Sequence, residues 1–135
     1  MHQTYIGVKE VEAKPLKKHG RDGYEVIYPD GYVSWSPKAT FETAYFPISD
    51  STRISETVVE AFIDDTETLT LGEKTTIIRA RLINGFELFA HSACVDAANY
   101  NEVLGAAECL QKIEAQVWHL LGFTLRWART GVPTD

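Results

Sequence analysis

The segment Thr75–Cys94, TTIIRARLINGFELFAHSAC, constrains this chain more than any other: two strand-like runs flank an Asn84-Gly85 pair. Asn-Gly is the preferred pair of a two-residue type I′ turn, because both central residues need positive φ. A hairpin is therefore expected, with Ile83 opposite Phe86, Arg81 opposite Leu88, Ala80 opposite Phe89, Arg79 opposite Ala90 and Ile78 opposite His91. Side-chain alternation then sorts it into a core face of Ile78, Ala80, Leu82 and Phe89, and a second face of Arg79, Arg81, Phe86, Leu88 and Ser92. The second face sets two guanidinium groups beside an aromatic ring, a combination able to hold a phosphorylated, base-containing ligand by ion pairing and stacking.

At 135 residues and 44% hydrophobic content the chain can bury a real core as one domain or two small modules. Its formal net charge of −6 argues against binding duplex nucleic acid, which favours a basic footprint. The acidic excess falls entirely in the second half. Two cysteines without CxxC spacing give no disulfide framework, and four scattered histidines give no metal-ligand spacing. No cofactor is expected. The amino-terminal residues lack a basic-then-apolar signal pattern and no run approaches a membrane span, so a reduced cytoplasmic location is expected, without a membrane partner.

Along the chain, Tyr5–Ala13 reads as a strand, and Tyr24–Tyr28 and Tyr32–Trp35 as a hairpin around Pro29-Asp30-Gly31. Ser36 and Pro37 supply an N-cap and a first helical residue for a short helix carrying Phe41, Ala44 and Tyr45 towards the sheet. These elements define a β-β-β-α module over residues 1–48. After the polar link Phe46–Arg53, a second module over 54–130 begins with a helix from Ile54 to Ile63, capped by Ser51 or Ser55. The hairpin follows, and then a long helix from about Asn99 to Leu121, with Val103, Leu110, Ile113, Val117 and Leu120 recurring at helical spacing and Gly122 ending it. The fold class is α+β: a small antiparallel sheet with a short helix, then helix, hairpin and long C-terminal helix.

No catalytic constellation stands out. His91 beside Glu87, both placed on the core face, is the one candidate general base, and Asp64-Asp65 reads as a solvated loop. Arg126 and Arg129 offer a second basic pair or complement the helix dipole. The crowd of Tyr24, Tyr28, Tyr32 and Trp35 builds a core or stacks a base. Gly105, Ala106 and Ala107 permit close approach of another backbone, from a second copy or from the hairpin.

The second module carries Asn84-Gly85-Phe86, Ser92 to Val95, Asn99, and then Trp118, Leu120 and Gly122. In these positions it resembles the phage accessory family of the gene-49 (phage N-four) and gene-66 (phage Sf-six) type. The first module, with YIGVKEVEAKP and DGYEVIYPDGYVSWSPKATFETAY, is similar to a segment recurring in small phage proteins. The hairpin-plus-long-helix plan also resembles, more distantly, sponges of nucleotide immune signals of the Thoeris anti-defence type. That likeness implies an oligomer with a ligand pocket at a subunit interface, in the host cytoplasm, sequestering a cyclic ADP-ribose isomer or cyclic oligonucleotide without cleaving it. The expected ligand contacts are Arg79 and Arg81 for phosphates, Phe86 or Trp35 for a base, and Asn99 or Asn101 for polar edges. The alternative is an acidic protein-interaction module that binds and inhibits a host protein.

Overall fold

A computed structural model describes residues 1–134 and divides the chain into two compact units. One unit comprises Met1–Ile48 with the residues from Phe123 on, and the other Ser49–Gly122. The mixed α+β class is as expected: the described residues form two three-stranded antiparallel sheets, three α-helices and one 3-10 turn.

In the first unit, β1 (Glu12–Pro15), β2 (Gly23–Ile27) and β3 (Val33–Pro37) pair in that order, and α1 spans Lys38–Ala44. β1 lies later than the Tyr5–Ala13 alternation suggested. Tyr5 and Ile6 stay exposed, so that alternation has no second layer to bury against. Ser36 does not cap α1 either. It is inside β3, paired with Tyr24, and the helix follows Pro37 with no side-chain cap. Val26 is the fully buried aliphatic residue of this sheet. Around it the aromatics pack on one another, Tyr24 stacking on Phe41 at 4.4 Å and Phe41 on Tyr45 at 4.9 Å.

In the second unit, α2 (Glu56–Phe62) starts at Ser55, whose hydroxyl accepts from the Val58 N–H. It runs directly into β4 (Ile63–Leu71), followed by β5 (Thr75–Leu82) and β6 (Glu87–Ala93), in sheet order β4-β5-β6. The nine-residue strand β4 replaces the solvated loop expected around Asp64-Asp65. A 3-10 turn over Ala97–Asn99, capped by Asp96, leads to α3 (Glu102–Thr130).

The hairpin between β5 and β6 is present, but one residue out of the expected register. Leu82 N–H donates to the Phe86 carbonyl at 2.8 Å, and Gly85, at φ 88°, donates back to the Leu82 carbonyl. The loop is therefore the three residues Ile83, Asn84 and Gly85, with glycine in the left-handed position, and not a two-residue turn. A one-residue slip turns a whole strand over. Ala80 now faces Leu88 and Ile78 faces Ala90, while Arg79 faces Phe89 and Arg81 faces Glu87. Leu88 and Ala90 are buried and Phe89 is 60% exposed, the reverse of the expectation. The signal was in the composition of the two rows: Leu88, Ala90, Ser92 against Glu87, Phe89, His91. The second row carries two polar groups, and it is the one left in water.

The core of this unit lies between one face of the sheet and the stretch of α3 from Cys109 to Leu121. Thr76, Ile78, Ala80, Leu82, Leu88 and Ala90 meet Cys109, Ile113, Val117 and Leu121, with Val58 and Val59 of α2 closing one side. Val103 and Leu110, expected in the buried stripe, are exposed. Gly122 does not end α3. Gly131 does, at φ 58°, its N–H bonded to the Trp127 carbonyl at 2.8 Å.

Candidate functional site

The outer face of the second sheet is the face turned away from α3. Strand alternation places on it Asp65, Glu67, Leu69 and Leu71 of β4, Ile77, Arg79 and Arg81 of β5, and Glu87, Phe89 and His91 of β6. One end is charged and the other apolar.

At the charged end Arg79 and Arg81 stand together, as the sequence led one to expect. They are held by carboxylates. Arg79 reaches Glu87 at 3.1 Å and Asp65 at 3.6 Å, while Arg81 reaches Asp64 at 3.2 Å and Asp65 at 3.3 Å. Three carboxylates against two guanidinium groups leave this cluster one negative charge. Arg79 is the better enclosed, its side chain 22% exposed, and its cross-strand neighbour is the exposed ring of Phe89. The expected aromatic partner, Phe86, lies beyond the strand at the turn. At the apolar end Leu69 and Leu71 are exposed and Ile77 is half-buried, with exposed Phe89 in the adjoining row of Glu67 and Arg79.

The remaining expected contacts are dispersed. Trp35 belongs to the other unit, where its indole N–H donates to the Leu16 carbonyl at 2.8 Å and Arg21 lies over its ring. Asn101 is the N-cap of α3, its side-chain oxygen accepting from Val103 N–H at 2.9 Å and Leu104 N–H at 3.3 Å. Asn99 closes the preceding 3-10 turn through its backbone N–H to Asp96. His91 and Glu87 are on the outer face, not the core face, with Phe89 between them, and Glu87 is engaged by Arg79. That arrangement does not pair them as acid and base.

Of the small residues of α3, Gly105 faces the protein's own hairpin, while Ala107 is exposed. A Cβ on Gly105 would stand 2.2 Å from the Thr76 hydroxyl oxygen. Thr76 is fully buried, and the Tyr100 hydroxyl bridges it at 2.8 Å to Thr70 at 2.7 Å. Glycine at 105 is what lets the helix approach this buried hydroxyl pair. Among the described residues there is no cluster of three or more His, Cys, Asp or Glu suited to a metal ion. No helix among them is long and apolar enough to cross a membrane.

The second unit is thus a helix-backed three-stranded sheet with an uncovered face, one end charged and the other apolar. Residues 50–128 match the Phage protein (N4 Gp49/phage Sf6 gene 66) family, more than half of the chain. The chain belongs to that family, as its NGF and SACV segments suggested, and is a phage protein. No curated protein and no solved structure matches it.

Proposed function

We propose that this phage protein acts by binding, without turnover, and that its contact surface is the outer face of the second sheet, docking on a host protein. The observation that carries the reading is three exposed apolar side chains, Leu69, Leu71 and Phe89, on the same outer face as a prearranged ion-pair cluster. Apolar side chains in that company mark protein contact surfaces, where a desolvated centre is rimmed by charge. Counter-defence, by occupying a host component, is the role proposed for it.

Sequestration of a nucleotide signal is the second reading, favoured by the Arg79–Phe89 cross-strand pair. A phosphate arriving there must displace Glu87 and Asp65 from a cluster that is already net negative, which weighs against tight anion binding.

The two readings separate experimentally. Capture from host lysate with wild-type protein, Leu71→Asp and Phe89→Asp tests docking, both positions being exposed enough for the fold to tolerate a charge. A host protein held by wild type and lost from both variants is expected. A thermal-shift panel of cyclic ADP-ribose isomers and cyclic oligonucleotides tests sequestration: a shift abolished by Arg79→Ala, with no face-dependent host protein, would replace the first reading by the second. A ligand at about 100 times its dissociation constant contributes about 2.7 kcal/mol, well above detection.

A further inference from the structure

We infer that β4 is a self-pairing edge, and that two copies of this chain join along it, antiparallel, into one six-stranded sheet centred on Thr68. The inference does not depend on what the outer face binds.

A sheet edge exposes unpaired N–H and C=O groups, and proteins ordinarily blunt it. The other edges here are blunted. β1 and β3 have four and five residues, and each ends in proline. On β6 the outward carbonyls of Phe89 and His91 are taken by side chains of α3, Gln116 at 3.2 Å and Lys112 at 2.7 Å. β4 is different. It has nine residues with neither proline nor lysine, its one register irregularity lies at the Ile63–Asp65 end, and among the described residues β5 is its sole partner strand.

The ladder shows which groups β4 presents. Leu82 N–H bonds towards β6, and Ile83 N–H bonds to the Phe62 carbonyl on the other side, so odd-numbered residues of β5 bond towards β4. These pair with Asp65, Glu67, Leu69 and Leu71. The backbone N–H and C=O of Thr66, Thr68 and Thr70 therefore point away from the sheet. All three threonines are exposed, and their side chains share the face of Thr76 and Ile78.

Charge selects the register for a second copy. Pairing about Glu67 would set Glu67 directly against its own copy, which like charges oppose. Pairing about Thr68 sets Glu67 against Leu69 and Asp65 against Leu71, and overlaps seven residues of each β4, from Asp65 to Leu71. It also aligns Thr66 with Thr70 and Thr68 with itself, a continuous threonine ladder of the kind that favours cross-strand pairing. Asp65 keeps its arginines, which come from β5 and not from across the join. Strand and partner are complementary in backbone, and no carboxylate stands directly opposite another across the join.

The test is sedimentation of the full chain over a concentration range reaching about 100 μM, where a small interface associates, combined with amide exchange. Thr68→Pro removes an outward N–H and no bond to β5. It deletes both bonds of the central pair and should weaken the dimer about thirtyfold. Thr68→Lys, at an exposed edge position of the kind that commonly carries lysine, sets two lysines face to face and should also give monomer, guarding against misfolding of the proline variant. Concentration-dependent protection of the Thr66, Thr68 and Thr70 amides is expected in wild type alone. A wild-type monomer throughout, including one that captures a foreign extended peptide at this edge, would overturn the inference. So would a dimer that both variants retain.

Discussion

Gly105 and Gly122 lie in the same helix, and replacing each by alanine should move stability in opposite directions. At Gly122 a Cβ meets nothing within 4 Å. Alanine there should gain about 1 kcal/mol, the helix-propensity difference. At Gly105 the added carbon would stand 2.2 Å from Thr76 Oγ1 and 2.9 Å from Thr76 Cβ. Thr76 has no room to yield, being fully buried and bonded to Tyr100. Overpacking of this kind costs about 1–3 kcal/mol, and losing the Tyr100 bond about 1 more, against the same gain of about 1 in propensity. A net loss of about 2 kcal/mol is expected. Urea unfolding reads it as a lowered midpoint at unchanged slope, beside a raised midpoint for Gly122→Ala. Thr76→Ala removes the nearest clashing atom, so the double variant should lose less than the sum of the two single ones. A Gly105→Ala protein as stable as wild type would refute the close approach of α3 to β5.

Asn101→Ala should cost about 1 kcal/mol, because its side chain satisfies two N–H groups at the start of α3; an unchanged urea midpoint would remove that capping role. Two phenols of the first unit titrate above the ordinary 10.0. The hydrogen bond from Tyr24 to Glu42 raises the one, and burial, then the neighbouring Tyr28, raises the other, Tyr45. Groups raised in the folded state contribute stability that is complete below their unfolded value and is lost as pH rises through the folded value. The first unit should therefore loosen on the alkaline side of pH 10.0. Phenolate absorbance should show Tyr24→Phe losing one late-titrating group, and an unaltered titration curve would contradict the Tyr24–Glu42 bond.

The fold was legible where burial leaves an imprint and obscure where it does not. α2 and its Ser55 cap could be read from Val58 and Val59, and the hairpin from the alternation of Ile78, Ala80 and Leu82 about Asn84-Gly85. The turn is ambiguous in the sequence because Asn-Gly serves two-residue and three-residue loops alike, and the choice between them is made by which row of β6 the helix buries. β4 is obscure in the sequence for the opposite reason. An edge strand exposed on both faces has no apolar alternation, and Thr66, Thr68 and Thr70 at period two were its one trace. Gly122 looked like a stop because glycine commonly follows helices, yet at an exposed position a helix passes through it at a cost of about 1 kcal/mol. At the site, the Arg79 and Arg81 pair was visible from spacing. Their carboxylates were hidden, since Asp64 and Asp65 reach them through a strand pairing that the sequence did not announce.

The most direct test of the docking account is crosslinking in infected cells from a photoreactive residue placed at Phe89, with the same residue placed at Val103, an exposed position of α3, as control. A single host protein crosslinked from position 89 and not from 103, and lost when Leu71 is also changed to Asp, is the predicted result. Equal crosslinking from both positions, or none from 89 while the purified protein carries a bound nucleotide, would contradict it.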